Sequence, residues 1–161
     1  MFLLQPDSET VRLASMVARQ ANIYAVRLQK VDALSDHDPA SGAIPSNPTA
    51  SFQIADTDLT RPGLVRVTCT MEVSVDWFLD EGSRREGHSG WSLTYVADYT
   101  VPAGEMPEEI RTRAIPAFAQ VNVPYNLWPY FRQAIQSNAS EMGIVGLVLP
   151  PLRYEPRTAD K

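Results

Sequence analysis

The chain has 161 residues, of which 44% are apolar and 20% charged, and this composition predicts one globular domain with a core of its own. Its net charge of -5 and the lack of any basic cluster longer than Arg84–Arg85 argue against a nucleic-acid-binding surface. The single cysteine, Cys69, excludes an internal disulfide and a thiolate metal cluster. Without a signal-peptide pattern or a run of about 20 apolar residues, we expect a cytoplasmic protein that does not insert into membranes.

The first third of the chain predicts a helix, a strand, a long loop and a short strand. Residues 7–20 show helical spacing of apolar side chains, and Asp7 or the serine after it can cap this helix. Apolar residues two apart predict a strand over residues 22–34. The stretch 35–50 is rich in proline and small polar residues, which indicates a loop, and residues 51–56 form a short strand.

The strongest pattern lies at residues 64–78, where apolar and polar side chains alternate without interruption. Val73 is typical of the apolar set, and such alternation predicts an antiparallel strand with one buried and one solvated face. Residues 91–101 repeat the pattern, and the glycine- and charge-rich stretch at 80–90 predicts a turn between them. The two segments therefore predict a long hairpin.

The period changes to helical after the hairpin. Proline and two glutamates open a helix predicted over residues 107–121, which Pro116 ends or kinks. A second helix is predicted to begin at Leu127 or Trp128, with Pro129 tolerated in its first turn, and to reach about Met142.

The order of these elements predicts an α+β fold, with a four-stranded antiparallel sheet and helices packed on one of its faces. We expect one domain over residues 1–161. In it, residues 1–21 hold the N-terminal helix, residues 22–101 the sheet and residues 107–142 the remaining helices. The end of the chain, residues 153–161, is predicted to be a flexible tail.

Residues able to do chemistry are sparse. Asp36, His37 and Asp38 are adjacent, but a metal site needs three or four supported ligands, so a solvated loop is the simpler interpretation. His88 lies in a predicted turn, and Cys69 lies on an apolar strand face as a buried, inert thiol. The sequence has no common phosphate-binding, dinucleotide-binding, hydrolase or zinc-protease motif. We therefore predict no catalytic residue, no metal and no cofactor.

Aromatic residues are more numerous near the last helix and the hairpin than one sheet can cover. Trp77 and Phe78 are neighbours in a strand and point to opposite faces. Trp128 and Phe131 share a helix face, whereas Tyr130 points away from them. Apolar surface left uncovered in this way indicates an interface or a binding surface.

The same residues carry a resemblance to a known family. LWPYFRQAI at 127–135 resembles the signature that opens the long helix of SecB, the bacterial export chaperone. The apolar segment at 144–149 and the prolines after it are similar to that family's closing segment, and the resemblance covers roughly residues 22–152. The N-terminal helix is more like the SecB-like chaperones associated with toxin–antitoxin systems.

This resemblance implies an ATP-independent holdase, which binds unfolded or partly folded polypeptides in apolar grooves. It implies a role in protein export or in the stabilisation of a dedicated client such as an antitoxin. It also implies a homotetramer built as a dimer of dimers. The residues expected to bind clients are Ile44, Phe52, Ile54, Phe78, Trp128 and Phe131. The residues expected at subunit interfaces are Tyr24, Trp128, Tyr130, Phe131 and Ile135.

The family also uses an acidic sheet face to meet the SecA motor. The corresponding candidates are Glu72, Asp76 and Asp98, for which ordinary solvated strand residues are the alternative interpretation.

Two other functions stay open from the residues alone. One is a small ligand-binding protein or enzyme with a pocket near Tyr24 and Asp98, in which His88 could take part. An enclosed pocket with converging polar groups would favour it, whereas an open apolar groove would favour the chaperone. The other is a structural adaptor with one fixed partner, and a broad client range would exclude it.

Overall fold

The fold is built on a sheet with helices against one face. The computed structural model describes residues 2–46, 48–59, 61–79 and 84–155. In chain order the elements are β1 (Phe2–Leu4), α1 (Ser8–Ala18), β2 (Asn22–Ser35), β3 (Ile44–Pro45), β4 (Thr49–Asp58), β5 (Leu64–Leu79), β6 (Arg84–Thr100), a π-helical segment (Ile110–Ala114), α2 (Ile115–Glu141) and β7 (Leu152–Tyr154).

The hairpin of β5 and β6 forms the centre of the sheet and confirms the predicted register. Val73 of β5 lies opposite Trp91 of β6, and both side chains are buried. Cys69, on the same face, is fully buried, and this burial raises the pKa of its thiol to about 12. Alternation along the two strands thus places one face of the sheet in the core and the other toward solvent.

The sheet has five strands, in the order β2-β6-β5, with both β3 and β4 pairing along β5. The prediction of four strands was wrong, because Ile44–Pro45 pairs with Phe78 and Trp77 inside the segment predicted as loop. The reason is length, since β5 continues beyond the stretch Arg66–Ser74 that β4 covers. The free edge at the end of β5 is available to the passing chain, which adds a short strand there.

The second hairpin strand also begins earlier than its pattern predicts. β6 starts at Arg84, within the stretch 80–90 predicted as a turn, whereas residues 80–83 lie outside the described residues. Gly87 explains part of the difference. A Cβ there would lie 2.7 Å from the Cα of His37, so the glycine lets a strand run where a neighbouring loop crosses closely.

Helix α2 is continuous over 27 residues and passes through the three prolines of this region. No helix ends at Pro116 and no second helix starts at Leu127 or Trp128, so these two predictions were wrong, whereas the alternative of a kink at Pro116 stays a prediction. Pro116 lies at the start of α2, directly after the π-helical segment, and the helical backbone continues through it. Pro124 and Pro129 lie inside the helix, where each costs about 3 kcal/mol relative to alanine.

Burial of one side of α2 offsets that cost. Its apolar residues recur four apart and are fully buried against the sheet, as Leu127, Phe131 and Ile135 are. Each such side chain contributes about 1.5–3 kcal/mol by leaving water. The free energy of packing therefore exceeds the local penalty of the prolines, and the helix does not break.

The N-terminus contributes a helix and an unpredicted strand. The Asp7 carboxylate accepts a hydrogen bond from the Thr10 backbone N–H at 2.8 Å, which confirms the predicted cap of α1. β1 pairs in parallel with β7, so the chain from residue 152 to 154 is a strand in the region predicted as tail from residue 153. Residues 156–161 of that tail lie outside the described residues. None of the described helices is both long and apolar enough to cross a membrane.

Candidate functional site

An open groove lies between β1, β4 and α2. Its volume is about 730 Å³, and consecutive residues of both strands line it, 2–4 from β1 and 49–54 from β4. Neighbouring side chains of a strand point to opposite faces of the sheet. A groove lined by every consecutive residue of a strand therefore runs along the edge of that strand. Among the described residues, β4 pairs only with β5, and its other edge offers its backbone N–H and C=O groups to this groove.

Helix α2 contributes a further polar group to the groove. Gln120 and Pro124 both line it. Because a proline has no N–H, Pro124 cannot donate to the carbonyl of Gln120 four residues earlier. Among the described residues, the groove therefore combines apolar side chains, the unpaired edge of β4 and a helix carbonyl that receives no hydrogen bond from Pro124.

An aromatic cluster lies at the wall of the groove. Trp128 meets Phe2 of β1 edge-on, with ring centroids 5.2 Å apart, and Phe52 of β4 at 6.4 Å. Phe52 also contacts Phe131, at 6.2 Å. The indole N–H of Trp128 is buried and has no hydrogen-bond partner among the described residues. The two strands that border the groove thus share one aromatic support on α2.

The structure divides the residues predicted to bind clients into three places. Phe52 and Ile54 line the groove and are half-buried. Ile44 is exposed and lies opposite the half-buried Phe78 in the β3–β5 pair, and neither residue lines that groove. The remaining two, Trp128 and Phe131, are buried in the monomer core.

The residues predicted at interfaces are divided in the same way. Tyr24 is 73% exposed on β2, and Tyr130 is exposed on α2. Ile135 is a core residue together with Trp128 and Phe131, because these three lie on the side of α2 that packs against the sheet. Helical spacing in the sequence shows that they share a face but not which surface that face meets.

Strand β2 is an edge strand that pairs only with β6 among the described strands. Of its residues, only Tyr24 was predicted from the sequence to lie at an interface. Ile23 and Leu28 lie opposite the core residues Tyr99 and Tyr95, so they belong to the core side of the sheet. They are nevertheless 44% and 46% exposed, because α2 packs on β4, β5 and β6. Apolar exposure along a free 14-residue edge defines a surface suited to another strand.

The three acidic candidates differ in how available their charge is. Asp98 is only 4% exposed, and its carboxylate accepts hydrogen bonds from Arg66 Nε at 2.6 Å and Arg27 Nη2 at 3.1 Å. The hydrogen bond from Arg66, ahead of the charges of the two arginines, holds the pKa of Asp98 below its usual value. Asp76 is paired with Arg85 and His88, although its side chain is 44% exposed, and Glu72 is exposed as well.

Glu72 borders a second, smaller groove on the solvent face of the sheet. Its volume is about 420 Å³, and Asp32, Leu34 and Gly90 line it as well. Asp32 belongs to β2, which the sequence analysis did not connect with the acidic face. The pairing of β2 with β6 brings it there, and no short-range pattern shows that.

The predicted solvated loop around His37 is ordered on the hairpin, so that prediction was wrong for this residue. The His37 side chain is 4% exposed and stacks on Trp77 with ring centroids 4.0 Å apart. Its Nδ1 lies 2.5 Å from Glu86, and this hydrogen bond lowers the pKa of Glu86. Asp36 is fastened nearby, since its carboxylate accepts from the His88 backbone N–H. The described residues hold no group of three or more potential metal ligands.

No protein-family model matches the chain. It is 24% identical to the protein-export protein SecB of Magnetococcus marinus over 147 residues, which are 91% of this chain and 87% of that protein. The structure matches that of a SecB-like chaperone of Mycobacterium tuberculosis, solved in complex with a ChAD peptide from an antitoxin, with a TM-score of 0.70 and 17% identity. That match covers 88% of this chain and 98% of the other.

These findings confirm the resemblance that the sequence carries. The fold is that of SecB-like chaperones, and the similarity to SecB extends over most of the chain. Assignment to the SecB-like family is supported by sequence and structure together.

Proposed function

We propose that this protein is an ATP-independent holdase that binds unfolded or partly folded polypeptides in the groove between β1 and β4. The observation that carries this proposal is the free edge of β4 beside an apolar wall, formed by Phe52 and Ile54. Similarity to SecB and to a SecB-like chaperone supports a chaperone role, and we propose that the protein acts in the cytoplasm.

The physical reason lies in what an edge and an apolar wall recognise. A strand edge hydrogen-bonds any extended backbone, whatever its sequence, and apolar pockets take alternate side chains of that segment. Unfolded chains offer both features, and folded proteins hide them. A client loses conformational entropy when it becomes extended, so each groove binds weakly and several grooves together bind well.

The net charge of the chain selects among clients. At -5 it repels acidic segments and favours basic ones. The geometry of the groove does not separate an export precursor from an antitoxin as the client. Glu72, rather than the buried and ion-paired Asp98, lies on the face that would meet a basic partner such as a motor protein. Asp32 lines the same groove and is ion-paired with Lys30.

Assembly completes the proposal. The uncovered edge of β2, with Ile23, Tyr24 and Leu28, is the surface through which two copies would join their sheets. Pairing would cover the edge and the apolar residues that α2 leaves exposed. A dimer of dimers would carry several grooves, so that one long client could bind at more than one of them.

The alternative of a small-molecule pocket finds less support. Tyr24 is mostly exposed, and Asp98 is engaged by two arginines. Neither residue lines the two grooves described above. The groove bounded by β1 and β4 is open, which suits a chain that passes through better than an enclosed substrate.

The test is suppression of aggregation of a chemically unfolded protein, followed by light scattering without ATP. We expect the unmodified chain to suppress scattering and Phe52→Ser to suppress it several-fold less. Tyr125→Ser, which removes an exposed ring outside the groove, is the matched control and should behave as the unmodified chain. The proposal fails if the unmodified chain, folded by circular dichroism, leaves aggregation unchanged.

A further inference from the structure

The strand β1 covers part of the aromatic support of the groove. Phe2 is 7% exposed and packs edge-on against Trp128, which is itself 7% exposed. On the other side of the groove Phe52 contacts the same indole ring. Phe2 therefore occupies apolar surface that adjoins the site where we place the client.

β1 has the chemistry of the segments that such a groove binds. It is extended, it reads Phe-Leu-Leu, and its side chains alternate between the core and solvent, with Phe2 buried and Leu3 exposed. It is held as a client would be held, by a backbone ladder on one edge and by an aromatic ring seated on α2.

The attachment of β1 is short. Its three residues pair with β7, and the flanking hydrogen bonds run from the Phe2 N–H to the Pro151 carbonyl and from the Glu155 N–H to the Leu4 carbonyl. A ladder of this length opens locally at a small fraction of the cost of global unfolding.

The helix that follows is anchored independently of β1. Leu13, Ala14 and Val17 of α1 are buried, and α1 packs on α2. Arg113 adds an ion pair from the start of the long helical region to Glu9 of α1. Gln5, Pro6 and the cap residue Asp7 separate the two elements, so β1 can leave its place while α1 stays.

We propose that β1 is an internal occupant of a second client subsite, which lies on Trp128 and is opened when a client segment displaces β1. The occupant that the subsite takes is an extended segment that leads with an aromatic residue and continues with aliphatic ones. This inference rests on the proposed chaperone function and adds regulation to the same groove. A client segment can bind this subsite only when β1 is displaced. The apparent affinity for such segments is therefore the affinity of the open subsite multiplied by the fraction of time that β1 is displaced.

A reversible lock tests this directly. Leu3 and Arg153 are register partners in the β1–β7 ladder, and both are exposed. Neighbouring strands lie about 4.8 Å apart, a distance that a disulfide spans. Leu3→Cys combined with Arg153→Cys should therefore fasten β1 to β7 when oxidised and release it when reduced. The native Cys69 is buried and does not compete.

The probe is a fluorescein-labelled peptide with the sequence of residues 1–6 of this chain, and its binding is measured by fluorescence anisotropy. We expect the reduced double variant to bind as the unmodified chain does and the oxidised form to bind at least tenfold more weakly. Deletion of residues 1–5 should tighten binding about tenfold if β1 is seated nine-tenths of the time.

Equal affinity of the oxidised and reduced forms overturns the inference, because the peptide then binds without moving β1. Weaker binding after the deletion, in a variant that circular dichroism shows to be folded, also overturns it and makes β1 a plain wall of the groove. Suppression of aggregation by the unmodified chain separates the two proposals. If suppression holds while the lock has no effect, the holdase stands and the displaceable strand does not.

Discussion

At the scale of single residues, Asp98 has the greatest electrostatic consequence. Its buried carboxylate joins β2, β5 and β6 through Arg27 and Arg66. Asp98→Asn removes the charge and leaves Arg66 with a weaker acceptor. We expect a loss of about 2 kcal/mol in the free energy of unfolding, measured in urea. The matched change Arg27→Gln, at an exposed side chain, should cost less than about 1 kcal/mol.

The same residue gives a pH dependence with a definite sign. The pKa of Asp98 is lower in the folded chain than its ordinary 3.8, chiefly through the hydrogen bond from Arg66. Its contribution to stability is therefore complete above the unfolded pKa and is lost as pH falls through the folded value. Between pH 5 and pH 2, the stability difference between the unmodified chain and Asp98→Asn should shrink. A difference that stays constant over this range would contradict the assignment.

The residues that the sequence analysis placed at surfaces show why single positions are hard to assign. Trp128, Phe131 and Ile135 were expected to meet clients or other subunits, and they lie in the core. Their spacing reports a shared helix face, and only the packing of that helix tells whether the face meets the sheet or the solvent. Asp98 was assigned to the correct face of its strand, but its two arginine partners come from other strands.

At the scale of elements, the register of β5 is the most secure feature and permits a paired test. Val73 is 2% exposed, so Val73→Asp would bury an unpaired charge and cost several kcal/mol or prevent folding. Ser74→Asp, one residue along, places the same charge on the solvent face and should change stability by less than about 1 kcal/mol. Thermal unfolding of both variants measures this, and similar losses for the two would refute the register.

The continuous course of α2 gives a second prediction at this scale. Pro129 is exposed and lies inside the helix, where it has no N–H for the carbonyl of Tyr125. Pro129→Ala restores that hydrogen bond and should raise the free energy of unfolding by about 1–3 kcal/mol, read in urea. If a helix instead began at Trp128, the proline would sit in its first turn, and the alanine would give no such gain.

Strong alternation over many residues made the β5–β6 hairpin predictable, since no other structure buries every second side chain. The elements missed were short or depended on distant partners. β1, β3 and β7 have two or three residues each. β3 adds to the edge of β5, and β1 and β7 pair with each other as a separate two-stranded sheet. The prolines of α2 carried a strong local signal that tertiary packing overrode.

At the scale of the whole molecule, the edge of β2, which pairs only with β6 among the described strands, is where we propose that copies associate. Leu28→Glu places a charge on the apolar side of that edge, and we expect it to halve the mass of the assembly or reduce it to single chains. Light scattering coupled to size-exclusion chromatography measures this against the 17.9 kDa of one chain. Tyr125→Glu introduces the same charge on α2 and should leave the mass unchanged. A monomeric unmodified chain at tens of micromolar would contradict this interface.

The sequence by itself determined the α+β class, the long hairpin with its register, the inert Cys69 and the resemblance to SecB. These features follow from local alternation and from short motifs, which can be recognised without knowing which distant residues pack against them. Only the tertiary structure decided three features of the described residues. β4 has an unpaired edge beside an aromatic cluster, Phe2 of β1 packs against Trp128, and the Asp98 carboxylate is ion-paired with arginine. Each of these features depends on residues far apart in the chain. The free energy of packing that brings them together cannot be read from any single segment of the sequence.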